Sequence, residues 1–184
     1  MTFLEVRNTI TKRLESYLGI PVELSDQTSP VPDYPFCYYS VITPYAPTGE
    51  FGNYSIQDNP GETTITTIRT EQPSATFSFV FCSENRWTLD ETGAEIEPYI
   101  YGEDEAQSLA EKAQGFFLLT EYSVLSNLGI VVVDVTNTTN RTTLVVDEAA
   151  RRYGFDVRVR YMRSDSRTDG TVGSAVAIRK KGVN

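Results

Sequence analysis

The sequence predicts an α+β domain: an antiparallel or mixed β-sheet flanked by an N-terminal helix and a longer central helix. Three observations carry this reading. Apolar residues recur at helical spacing in two separate segments, residues 1–19 and 104–119. Other segments are rich in aromatic and β-branched residues that alternate with polar ones, as half-buried strands do. The runs are also segregated, helix then strands then helix then strands, which is the order of an α+β domain and not of a parallel α/β sheet.

Taken in order, the first helix places Phe3, Val6, Ile10, Leu14, Tyr17 and Leu18 on one face. Thr2 followed by Glu5 matches a capping box, and Gly19 then Pro21 end the helix. Residues 20–35 read as a loop rich in Pro, Asp and Ser, and residues 36–43 as an aromatic strand. Residues 44–62 are punctuated by Pro44, Pro47, Gly49, Gly52, Asn59, Pro60 and Gly61, which predicts an extended loop, an arm suited to reaching a neighbouring subunit. Strands follow at residues 63–70 and 75–83. The second of these points Phe77, Phe79 and Phe81 one way and Ser78 and Val80 the other. Residues 84–102 form a second extended loop, polar and holding the only Trp, Trp87.

The central helix opens on Glu103, Asp104 and Glu105, where negative charge suits the helix dipole, and buries Ala106, Leu109, Ala110, Ala113, Phe116 and Phe117. A short helical piece at residues 122–128 ends at Gly129. Residues 130–135 are almost purely apolar and read as a strand buried on both faces. A Thr/Asn turn at residues 135–141 and a short strand at residues 142–146 come next. Arg151 and Arg152 precede a turn-like Tyr153-Gly154. Phe155, Val157, Val159 and Tyr161 then alternate with Asp156, Arg158 and Arg160, giving a half-buried strand with one basic face. Residues 165–173 read as a turn and residues 176–178 as a last strand before a basic tail.

The chain's 184 residues, 40% of them apolar, suit one domain spanning residues 1–184 with a substantial core. The net charge of −9 is unevenly spread. Residues 1–150 hold 22 acidic and 7 basic side chains, whereas residues 151–184 hold 3 acidic and 9 basic ones. Overall acidity argues against a dedicated nucleic-acid binder, since neutralising phosphates takes clustered Lys and Arg. The asymmetry fits either a solvated surface or a charge dipole that suits head-to-tail assembly. Cys37 and Cys82 both sit in apolar runs and read as buried thiols, not as a disulfide. Residues 1–19 lack the apolar region of a signal peptide, and no apolar run approaches the roughly 18 residues that span a membrane.

Chemistry is sparse. The chain has no histidine, which removes Ser-His-Asp and Cys-His arrangements and the commonest transition-metal ligand. It has no Cys-x-x-Cys pair and no glycine-rich phosphate loop. Asp90, Glu91, Glu95 and Glu97 cluster, but without the spacing of a calcium loop, and read as a solvated acidic loop. These features point to no enzyme, no metal and no cofactor. The residues singled out are instead those of subunit contact. They are the basic set Arg151, Arg152, Arg158 and Arg160, suited to an acidic neighbour, and the aromatic residues of the two excursions, Tyr45, Phe51, Tyr54 and Trp87.

The order of segments adds a resemblance. An amphipathic helix leads through a Pro-rich loop to Tyr34-Pro35-Phe36-Cys37-Tyr38-Tyr39. A Phe/Ser/Val strand then precedes the helix beginning Glu105-Ala106-Gln107-Ser108-Leu109-Ala110. Leu128-Gly129-Ile130-Val131-Val132 follows. The closing stretch runs from Asp147-Glu148-Ala149-Ala150-Arg151-Arg152 into Tyr153-Gly154-Phe155-Asp156-Val157. This arrangement resembles the phage neck or tail-terminator proteins, also called tail-completion proteins, over nearly the whole chain. The resemblance implies a sheet flanked by helices and a hexameric ring that caps the tail tube, stops its growth and offers the surface joining tail to neck or head. The implied partners are further copies of the chain, the tail tube protein, and neck, connector, sheath or collar proteins. DNA would pass through the channel without specific binding, in a virion assembled in the host cytoplasm. Residues 44–62 and 84–102 depart from the compact pattern. The alternative is another tail component, such as a tube or baseplate-proximal subunit.

Overall fold

The computed structural model describes residues 1–26, 30–48, 51–58, 64–143 and 150–170. Helix α1, Phe3–Leu18, is built as its sequence dictates. The Thr2 side chain accepts from the Glu5 amide at 3.3 Å, and the Glu5 carboxylate accepts from the Thr2 amide at 2.7 Å. Gly19 ends the helix with φ of 72°, a left-handed conformation that costs glycine nothing. Strands β1 (Val22–Leu24), β2 (Phe36–Ala46), β3 (Asn53–Asp58), β4 (Thr64–Glu71), β5 (Ser74–Ser83), β6 (Arg86–Leu89) and β7 (Glu95–Ile100) follow. Then come α2 (Gly102–Gly115), a π-helical turn at Phe116–Thr120 and α3 (Tyr122–Asn127). The chain continues through β8 (Ile130–Val135), β9 (Thr139–Asn140), β10 (Arg151–Tyr161) and β11 (Arg163–Gly170).

The main sheet has the order β1-β2-β5-β10-β8, with β9 also on β10. β1 runs parallel to β2, and the other pairs are antiparallel, so the sheet is mixed. Helices α1 and α2 cover one face. Between helices and sheet lie Phe77, Phe79, Phe81, Phe117 and Phe155, all fully buried, with Ile10, Leu14 and Ala110 from the helices. Phe79 is the hub of this layer: its ring lies 5.4 Å from that of Phe117 and 6.2 Å from those of Tyr39 and Phe155. Cys37 and Cys82 are buried and form no disulfide, and burial pushes the Cys37 thiol well above its usual range.

A single register unites two sheets. Arg160 lies opposite Ser74 in the main sheet, and Arg163 lies opposite Glu71 beyond it. β4–β5 and β10–β11 therefore form one antiparallel ribbon with a contour of roughly 65 Å, at about 3.3 Å per residue. Its inner half is the centre of the main sheet. Its outer half, with β3 alongside, is a three-stranded arm ordered β11-β4-β3.

Several expectations need correction. Residues 44–62 hold the end of β2 and all of β3, and residues 84–102 hold the β6–β7 hairpin, so neither stretch is a plain loop. Residues 165–170 continue strand β11 where a turn was expected, and the loop at 20–35 contains β1. In each case ladder hydrogen bonds to a neighbouring strand hold the segment, while few of its side chains enter the core, so no apolar alternation marks it. Tyr153-Gly154 is not a turn but mid-strand, opposite Phe81 and Val80. β8 is not buried on both faces: it is an edge strand on β10, with Val131 and Val133 exposed. The central helix starts at Gly102, earlier than expected, and its last turn before Thr120 widens to a π-turn. The short strand expected at residues 142–146 lies partly, and that at 176–178 wholly, outside the described residues.

Candidate functional site

The molecule carries three surface features that its own core does not use: the arm, the β6–β7 hairpin and the helix-free face of the main sheet. Each arises from a different local cause.

The arm leaves the body at a polar hinge. Glu71 ends β4 with its side chain only 3% exposed. It accepts from the Tyr45 hydroxyl at 2.9 Å and from Arg69 at 2.6 Å, while Arg69 also donates to Asp165 at 3.2 Å. Arg163 adds a cation over the Tyr45 ring, 5.4 Å from its centroid. Carboxylate, phenol and two guanidiniums thus tie β2, β4 and β11 together where the ribbon leaves the core. Beyond this hinge the surface is bare: every residue of β3 is exposed, and Phe51, just before it, is 89% exposed.

The hairpin springs from the opposite end of the ribbon, between β5 and α2. Its base is clamped. Arg86 donates to both carboxylate oxygens of Glu105, at 2.8 and 3.0 Å, and to the Ser83 hydroxyl at 3.1 Å; Ser83 also donates to Glu105. The Asn85 side chain accepts from the Gly102 amide at 2.9 Å. At the tip, one Asp90 oxygen accepts from the Thr92 and Ala94 amides and the Thr92 hydroxyl. Trp87 and Tyr99 are cross-strand partners with ring centroids 4.9 Å apart, and Tyr101 continues the ladder at 5.2 Å from Tyr99. Trp87, Leu89, Ile96 and Tyr101 are all exposed, with Glu91, Glu95 and Glu97 among them. A two-stranded hairpin has little stability of its own in water, so the clamp is what holds this one.

The clamp makes a pH prediction. Burial alone would raise the Glu105 carboxyl, but hydrogen bonds from Arg86 and Ser83 outweigh it and leave the group below its usual range. A carboxylate depressed in the folded state contributes stability that is present above its unfolded value and lost as pH falls through the folded one. The fluorescence of Trp87, the sole tryptophan, should therefore stay constant through neutral pH and change only once pH falls below the ordinary glutamate range. Glu105→Gln should give the altered signal at pH 7. An unchanged spectrum for this variant would show that the clamp does not hold the hairpin.

The helix-free face of the main sheet holds the third feature. Arg158 sits between Thr76 and Asp134, and Arg160 between Ser74 and Val131. Both arginines are exposed, and neither makes a hydrogen bond or ion pair among the described residues. Val131 and Val133 are exposed beside them, and exposed Met162 follows Arg160 at the mouth of a cleft of about 300 Å³ that Gln72 and Thr70 help to line.

The residues expected at a subunit contact are therefore spread over the molecule. Arg158 and Arg160 come together; Arg151 and Arg152 lie at the hairpin end of the same strand, roughly 25 Å away at strand rise. Arg152 donates to the Thr143 hydroxyl at 3.1 Å. Phe51 and Tyr54 lie on the arm and Trp87 on the hairpin, all exposed, whereas the Tyr45 hydroxyl is committed to Glu71. Sequence reading missed Glu71, Arg86, Glu105 and Arg141. The last donates from the sheet's outer face to Asp156 at 2.9 Å and to Ser78. Each has at least one partner 15 or more residues away, so no local spacing betrays them. It also missed an apolar rim of Leu118, Leu119 (80% exposed), Tyr122 and Leu128. The helical pattern continues through these residues, but the π-turn rotates them outward.

Among the described residues, no group of three or more His, Cys, Asp or Glu is placed to hold a metal ion, and no helix is long and apolar enough to cross a membrane. Compared with known proteins, residues 8–182 match the family model described as phage neck terminator protein. No curated protein matches the chain.

Proposed function

The chain belongs to the phage neck terminator family, and from that premise we propose that it forms a ring, hexameric as in the resemblance, that caps the tail tube. The ring ends tube polymerisation and presents the surface to which the neck or head joins. The observation that carries this reading is the family match over residues 8–182. Neck terminators are structural proteins of the tail and neck, whose work is contact with other virion proteins. The surface fits such work: exposed large apolar residues cluster on the arm, on the hairpin and along the rim from Leu118 to Val133. Patches of that kind mark protein contact.

A closed ring of identical copies needs a heterologous interface, two different surfaces of one chain that fit each other. The long ribbon carries such surfaces at its two ends. The ring's partners are the last tube ring on one side and neck, connector, sheath or collar proteins on the other. An acidic chain suits a lumen through which DNA slides without specific binding, because like charge repels phosphate. Assembly in the host cytoplasm precedes incorporation into the virion.

The second reading is a tube subunit, favoured by the edges of β3 and β8, which are unpaired among the described residues. Electron microscopy of the pure protein at high concentration separates the two. The ring reading expects single rings or unassembled protein; long stacks would replace it with the tube reading.

A further inference from the structure

The ring reading leaves open which surfaces of the chain meet, and the hairpin end and the middle of the ribbon suggest an answer. Resting on that reading, we propose that the β6–β7 hairpin of one copy docks on the helix-free sheet face of the next copy, around Arg158 and Arg160.

The two surfaces complement each other in charge. The hairpin presents Glu91, Glu95 and Glu97, all exposed and none of them held by the clamp at its base. The sheet face presents two exposed arginines without partners, on a strand whose remaining outward charge is largely spoken for: Asp156 is paired with Arg141, leaving Asp134 as the one acidic neighbour in register. They also complement each other in apolar surface. Trp87 and Leu89, one of them 61% exposed, share a hairpin face with Tyr99 and Glu95. Val131, Val133 and Met162 surround the arginines on the sheet face. An interface built this way has an aromatic centre with charged groups at its edge.

Geometry decides that the contact is between copies. The hairpin root adjoins Ser83 and Arg151, whereas Arg158 and Arg160 lie seven and nine residues further along β10, roughly 25 Å off at strand rise. The clamp of Arg86 on Glu105 keeps the hairpin at its own end of the molecule. A hairpin fixed at one end of the ribbon and a matching face at its middle, roughly 25 Å away, make a contact between two different surfaces, the head-to-tail kind that closes into rings. Docking also covers a hairpin whose own core is too small to bury its aromatic residues.

Charge exchange tests the contact. Asp90 is left intact because it builds the turn, and the altered residues are exposed, so thermal unfolding should confirm folded variants. Arg158→Glu with Arg160→Glu should lower ring formation, on tail tubes lacking their own terminator, at least tenfold; Glu91→Lys with Glu95→Lys should do the same. The four changes together should restore it. A second measurement uses cysteines: Trp87→Cys protein mixed with Arg160→Cys protein should give an oxidised dimer, while neither alone should. Ring formation at the wild-type level by both charge-reversed variants, with no crosslink between the mixed cysteine variants, would overturn the docking while leaving the ring reading intact. A wild-type protein that forms no ring on tubes would overturn the ring reading and the docking with it.

Discussion

Replacing Phe79 with alanine should cost about 3–5 kcal/mol of folding stability, the range for removing a fully buried aromatic ring. Phe79 is wholly buried at the centre of β5, between the sheet and the helices. Its ring touches those of Tyr39, Phe77, Phe117 and Phe155, so β2, the π-turn and β10 all lose contact with β5 at once. Phe117 lies in the π-turn, whose wider helical path keeps both Phe116 and Phe117 inside, with ring centroids 4.9 Å apart. The cavity left by alanine cannot close without moving that turn, which places the cost at the upper end. Urea unfolding should show a large drop in midpoint with the slope unchanged. A drop under about 1 kcal/mol would mean that Phe79 is not the hub of the core.

A second large effect is expected at Gly154. It is mid-strand in β10, and a Cβ there would lie 2.4 Å from the Phe79 carbonyl oxygen and 3.1 Å from the Arg141 side chain. The strand could take any residue on conformational grounds; what it lacks is room. Arg141 lies over this position to reach Ser78 and Asp156, and β9 pairs with Tyr153 and Gly154 beside it. Gly154→Ala must displace the β5 backbone or lift Arg141 off its partners. The expected cost is about 1–3 kcal/mol, or roughly 5 °C in melting temperature. Gly115 is the control. It sits in helical conformation with φ of −58°, and nothing lies within 4 Å of an added Cβ. Gly115→Ala should be neutral or stabilising by up to about 1 kcal/mol. Equal melting temperatures for Gly154→Ala and wild type would contradict the close approach at β10.

What could be read from the sequence followed what the core touches. The face of α1, its capping box, the Phe77-Phe79-Phe81 alternation of β5 and the Phe155-to-Tyr161 alternation of β10 are all present as expected; α1 and β10 bury one face, while β5 also buries Val80 and Cys82 on the other. β4 is present as expected, but its two neighbours in the arm do not read as strands, for the converse reason. β3 reads Asn-Tyr-Ser-Ile-Gln-Asp and is exposed throughout, and β11 alternates Arg and Asp with Ser and Thr. Backbone ladders hold these strands, and a ladder leaves no mark in side-chain hydropathy. β8 misled in the other direction. Its apolar run suggests burial on both faces, yet the strand is an edge with Val131 and Val133 open to solvent. Surface meant for a partner is written in the same residues as a core.

The site was legible in its parts and not in its arrangement. The basic face of β10, the acidic cluster near Asp90 and the lone Trp87 all stand out in the sequence. Their separation, the hairpin at one end of the ribbon and the basic face at its middle, depends on the register of β5 with β10, a long-range pairing that no local pattern records. The same holds for Tyr45, whose hydroxyl is tied to Glu71 through the fold of the hinge.

The most direct test of a ring that terminates the tube uses tail tubes prepared without their own terminator. The protein is added in excess, and light scattering after size exclusion is combined with electron microscopy of the tube ends. The account predicts tubes of fixed length, each closed at one end by a single ring of this chain, with no further tube subunit added there. Tubes that keep growing, with bare ends and the protein eluting apart from them, would contradict it.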